Sequence, residues 1–217
     1  MAYDLEEQEQ IASLKAFWNK FGNMITWIAI IVLGSYAAYN YWNYSQRTNA
    51  AEASGLYEEM QKSLAAKDNA KVQRIASDIE SKYARSAYAQ MSALSAAKSA
   101  FDANDGKTAK ARLQWVVEHG SDEYKSVARL RLAGLQLDEK AYDDALKTLN
   151  ADVLPQFAAA VADRKGDVLV AQNKVAEART AYQAALDAMA KNDPARQLVQ
   201  LKLEAIGGTV ATPKAAA

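Results

Sequence analysis

Hydrophobic positions along this chain follow two regimes. Between residues 21 and 46 there is no charged side chain, and the stretch 24–39, MITWIAIIVLGSYAAY, is apolar on every face. Beyond it, apolar residues recur at three- and four-residue spacing, interrupted by short polar breaks. That spacing gathers them on one face of a helix, so the pattern predicts a run of amphipathic helices. The breaks are turn-like: NDG at 104–106, DEKAY at 138–142 and QNK at 172–174.

The first regime predicts a membrane anchor. About 22 helical residues at 1.5 Å each reach roughly 33 Å, enough for a hydrocarbon core of ~30 Å. Aromatics gather at both ends, with Phe17, Trp18 and Phe21 ahead and Tyr39, Tyr41, Trp42 and Tyr44 behind. Such side chains settle at bilayer interfaces. The expectation is a transmembrane helix over residues 21–44. A cleaved signal peptide is the alternative, because Ser35-Tyr36-Ala37 has the small-x-small form of a cleavage site. Against it, the opening MAYDLEEQEQ is acidic where a signal peptide starts positive. Lys15 and Lys20 closely precede the span and Arg47 alone closely follows it. That bias places residues 1–20 in the cytoplasm and the large domain across the membrane.

The second regime repeats. Ala145 stands in EKAYDDALKTL, four residues before Leu149. Upstream, GKTAKARLQWVVEH places Ala111 four before Trp115; downstream, NKVAEARTAYQAAL places Ala178 four before Tyr182. These anchors lie 34 and 33 residues apart (111 to 145, 145 to 178), and Ser99, Ala133 and Gly166 stand twelve before them. Small residues at matched places let two antiparallel helices approach, and the large residue one turn later fills the remaining gap. The unit resembles the tetratricopeptide type. The helical pair just after the span lacks the alanine-to-aromatic step and is expected to be an atypical capping hairpin. Asp193-Pro194 opens a last helix to about Ile206, and Gly207-Gly208 stops it. The fold expected is therefore all-α: one N-terminal transmembrane helix, a helical-hairpin solenoid over 45–206, and a disordered tail over 207–217.

Composition narrows the chemistry. The 26 basic and 26 acidic residues cancel, which gives no reason to expect a nucleic-acid partner. There is no cysteine, which removes disulfides, thiolate catalysis and cysteine-held zinc. His119 is the only histidine and ends a predicted helix beside Gly120, where it complements the helix C-terminus. No nucleotide-binding glycine loop or nucleophile elbow occurs. The acid pairs Glu58-Glu59 and Asp143-Asp144 point in different directions on a helix. No catalytic residue, metal ligand, cofactor site or small-molecule substrate is expected.

A concave groove is the remaining candidate. The first helix of each repeat lines it, which selects Ala96, Ala100, Val127, Leu130, Gly134, Leu137, Asp163, Asp167 and Val170, with Ala93 and Ala160 beside them. Fifteen and eleven residues before the anchors, where some tetratricopeptide modules hold a carboxylate with lysine and asparagine, stand Ala96/Ala100, Leu130/Gly134 and Asp163/Asp167. These suit an apolar or basic segment. The alternative is that the same residues only pack against neighbouring helices.

Taken together, YWNYSQ after the span, LRLAGLQLDEKAYDDALKTL and AAAVADRKGDVLVAQNKVAEAR resemble, in order and spacing, the ancillary SecYEG translocon subunit family. The resemblance implies a non-enzymatic inner-membrane protein with a short cytoplasmic N-terminus, one uncleaved anchor and a periplasmic domain. It further implies association with the SecYEG translocon and with a membrane-anchored periplasmic chaperone of the PpiD type. A tethered scaffold for another cell-envelope complex would show the same anchor and repeats.

Overall fold

The computed structural model describes residues 2–209, with side chains from residue 7 onward; the expected tail lies outside them from residue 210. Among the described residues there are nine α-helices, one 3-10 turn and no strand. The helices are α1 (Ala2–Ala65), α2 (Asn69–Lys82), α3 (Ala87–Asp102), α4 (Gly106–His119), α5 (Asp122–Asp138), α6 (Tyr142–Leu149), α7 (Ala158–Ala171), α8 (Val175–Ala188) and α9 (Arg196–Ala205). Residues 1–51 and 52–217 form separate units.

In the first unit α1 carries the apolar window, and it is long and apolar enough to cross a membrane. Almost none of that window is covered: Trp27 is 60% exposed, Ile31 62% and Leu33 66%. An uncovered apolar stretch of this size is costly in water at about 25 cal/mol per Å² and costless in hydrocarbon. Thr26 returns its hydroxyl to the Gly22 carbonyl at 2.8 Å, which satisfies that donor within the helix.

In the second unit one turn recurs. Lys67, Asn104, Lys140 and Asn173 all have positive φ, 55 to 61°, in steps of 37, 36 and 33 residues (67 to 104, 104 to 140, 140 to 173). After each, the next amide reaches back five residues to a helix carbonyl: Asp68 to Ser63, Asp105 to Ala100, Ala141 to Gln136 and Lys174 to Leu169, at 2.8 to 3.0 Å. This left-handed cap closes the first helix, and the second begins two residues after the left-handed residue. Asp68 and Asp105 also accept the amides of Lys71 and Thr108 at 3.0 Å, starting α2 and α4. Gly207, at φ 73°, closes α9 in the same way.

The common turn fixes the register and corrects it in one repeat. The fourth residue of each second helix is buried: Val72, Ala109, Ala145 and Ala178. The residue one turn later is buried as well: Ala76, Leu113, Leu149 and Tyr182. The expected anchor Ala111 is exposed, so the small-to-large step of α4 is Ala109 to Leu113. Trp115 instead lies half-buried between two core clusters and stacks on His119 at 4.8 Å. His119 does sit in the last turn of α4, with Nδ1 3.0 Å from the Trp115 carbonyl. The hairpin before α3, expected to be atypical, makes the same turn with the small and large residues exchanged.

Packing within the hairpins follows from these steps. A Cβ on Gly166 would come within 2.3 Å of the Tyr182 ring, so the ring occupies the space that the missing side chain leaves. Between α2 and α4 the joint is polar. Arg112 donates to the Glu80 carboxylate at 2.6 Å, to the Gln73 side-chain and main-chain oxygens at 3.0 and 2.9 Å, and to Ser77 Oγ at 2.7 Å. Burial pushes the Glu80 pKa up against the pull of Arg112, and its other oxygen is buried without a partner.

Candidate functional site

The helices α3, α5 and α7 are the first members of their hairpins. Their shared face forms an open cleft of about 460 Å³, lined by Ala97, Lys98 and Phe101 of α3, Leu113 of α4, Leu130, Arg131, Gly134, Leu135 and Asp138 of α5, and Arg164 of α7. Helical spacing explains the lining, because residues 97 and 101, or 130, 131, 134 and 138, share one side of a helix. Gly134 keeps the floor low. A Cβ there would meet nothing nearer than the Arg164 guanidinium, at 3.9 Å. Phe101, 49% exposed, is the largest apolar side chain that the wall presents.

The nine expected groove residues separate into five groups. Leu130 and Gly134 line the cleft. Val127 and Leu137 are half-buried and pack against the cores beneath. Ala96 and Ala100 are fully buried, and with Ala93 they belong to the cores; the slipped anchor of α4 had misplaced them. With Ala109 as anchor, the equivalents fifteen and eleven residues earlier are Leu94 and Lys98, which brings a cation onto the concave face. Val170, 37% exposed, stands near the end of α7.

Asp163 and Asp167 form the fifth group, and they are not open to a ligand. Lys202 of α9 reaches both carboxylates at 2.8 Å, and the Tyr182 hydroxyl donates to Asp167 at 2.9 Å. Arg164 stands 3.6 Å from Asp167. Burial disfavours the Lys202 charge, but its hydrogen bonds to Asp163 and Asp167 outweigh that and hold its pKa above the ordinary value. Burial and the Asp167 charge drive the Tyr182 phenol upward. The expected acidic end of the groove is therefore a neutralised joint between α7 and α9.

Sequence reasoning missed the cations of the open part. Lys98 is paired with Asp102, one turn along α3. Arg131 has no acidic partner among the described residues, and its nearest polar contact is the Leu94 carbonyl at 3.5 Å. The open part of the groove thus presents cations that the expectation of an apolar or basic segment left out. The available signal was Arg131 next to Leu130 and Arg164 next to Asp163, each one step round the helix from a position already singled out. No cluster of three potential metal ligands occurs among the described residues.

The model of a tetratricopeptide repeat-like domain family matches residues 15–208. A relative from Neisseria gonorrhoeae named ancillary SecYEG translocon subunit is 31% identical over 95% of this chain and all of its own length. Relatives of the same name from Haemophilus influenzae and Escherichia coli are 29% and 32% identical, over 94% and 82% of this chain and 98% and 86% of theirs. No solved structure matches the chain.

Proposed function

We propose a function from one premise: the chain belongs to the tetratricopeptide repeat-like family of ancillary SecYEG translocon subunits. It is a single-pass inner-membrane protein that accompanies the SecYEG translocon without catalysing a reaction. Its N-terminus lies in the cytoplasm and its repeat domain in the periplasm. There the domain links the translocon to a membrane-anchored chaperone of the PpiD type, which receives secreted and outer-membrane proteins.

The observation that carries this reading is the division of labour in the chain. One helix has an uncovered apolar window, and a separate helical unit has an accessible cleft. An anchored binding module needs those two parts and nothing more. Gentle solubilisation of membranes and affinity recovery of the full chain should bring down the SecYEG subunits together with the chaperone. Recovery of another envelope complex, free of those subunits, would overturn the assignment. Topology is read separately. A reporter fused after Ala217 should be active only in the periplasm, and a soluble species starting at Ala38 would show that the anchor is cleaved.

A further inference from the structure

The cleft on α3, α5 and α7 has a chemistry of its own, and the geometry points to a docking site for an acidic peptide segment that carries one large apolar side chain. The inference rests on the proposed role of this face as a partner surface and names the class of segment that it takes.

Its floor is apolar, with Leu130, Leu135 and Phe101 around the gap that Gly134 leaves. Three cations, Lys98, Arg131 and Arg164, line it against a single acid, Asp138. Asp102 and Asp167, which neighbour Lys98 and Arg164, stand outside the lining. Asp167 is moreover shared with Lys202 and Tyr182, so its hold on Arg164 is divided. Arg131 has no carboxylate partner among the described residues. A guanidinium is a planar fork that receives a carboxylate through two parallel hydrogen bonds. Two of them beside a leucine-lined gap fit a segment whose aspartate or glutamate lies next to a phenylalanine or leucine. A basic segment would meet Arg131, which no carboxylate among the described residues offsets, beside two partly neutralised cations.

The test uses the purified full chain in detergent and three fluorescent dodecapeptides of serine and glycine. One carries a central phenylalanine followed by two aspartates. The second replaces the aspartates with lysine, and the third replaces the phenylalanine with serine. The first should bind about tenfold more tightly than either other, the effect of losing a charged hydrogen bond or a buried apolar side chain. Salt should weaken it. Arg131→Glu should remove that preference, and Gly134→Leu should remove binding by filling the gap. If Gly134→Leu fails to fold, Arg131→Glu decides alone, since its side chain is exposed. Equal binding of all three peptides, preference for the lysine peptide, or no binding at millimolar peptide would overturn the inference. Translocon recovery with the unaltered chain separates the two readings. If SecYEG still co-purifies while the peptides fail, only the peptide site falls; if SecYEG never co-purifies, the function falls whatever the peptides do.

Discussion

Leu130 and Gly134 on α5 occupy the same repeat positions as Asp163 and Asp167 on α7, yet the two pairs have opposite fates. The first pair lines an open cleft. The second is closed by Lys202, which arrives on α9 and joins both carboxylates at 2.8 Å. Repeat position decides which way a side chain faces. What meets it is decided by the next helix along. A position in a solenoid is thus a place on a face, and becomes a site only when its neighbour leaves it uncovered.

The largest effect should come at the closed end. Tyr182 is 3% exposed, fills the space over Gly166 and donates to Asp167. Tyr182→Ala should cost about 3–5 kcal/mol, the range for truncating a buried aromatic. Denaturant unfolding of the full chain measures this, and a loss below about 1 kcal/mol would show that α7 and α8 do not depend on the ring. Next in size is a single substitution made at two glycines. Gly166→Ala should cost about 1–3 kcal/mol by forcing a Cβ against the Tyr182 ring. Gly134→Ala meets open space and should instead stabilise by about 0.5–1 kcal/mol, because alanine is the better helix former. Equal signs at the two sites would erase the contrast between closed and open ends.

Smallest is the ion joint. Lys202→Met should cost about 1 kcal/mol, since the pair is only partly shielded from water. Its pH dependence gives a sharper reading. The folded pKa of Lys202 lies above the ordinary 10.5. A raised cation contributes fully below the unfolded value and loses that contribution as pH rises through the folded one. The wild-type advantage over Lys202→Met should therefore be constant through neutral pH and shrink only in alkali beyond that value. An advantage that vanished near neutrality would place the stabilisation elsewhere.

The sequence was most legible where local chemistry and repeat period agreed. Asn104 and Asn173 announce left-handed turns, because asparagine tolerates that conformation. Lys67 and Lys140 adopt the same backbone without any such signal, and the helices on either side force it on them. The slip at Ala111 has a simple origin. Alanines stand at both 109 and 111, and Trp115 gives the second the larger partner one turn on, although Leu113 and Val116 set the buried phase. A repeat step of 36 in one place and 33 in the next hid the error, since 34 looked regular. That slip carried Ala96 and Ala100 into the predicted groove and left Lys98 out. Lys202 was illegible for another reason: a pairing across 39 residues depends on where α9 lands, and no period announces it.

The four identical turns have a consequence for how such a chain can change. Each second helix begins from the same backbone conformation, two residues after a left-handed residue. A stretch copied from one turn to the next would bring its own joint with it, so a hairpin could be duplicated or lost without redesigning what flanks it. The number of units is then free to drift over generations. Lys202 marks where such drift would have to stop, because an added pair between α8 and α9 would strand Asp163 and Asp167 without their cation.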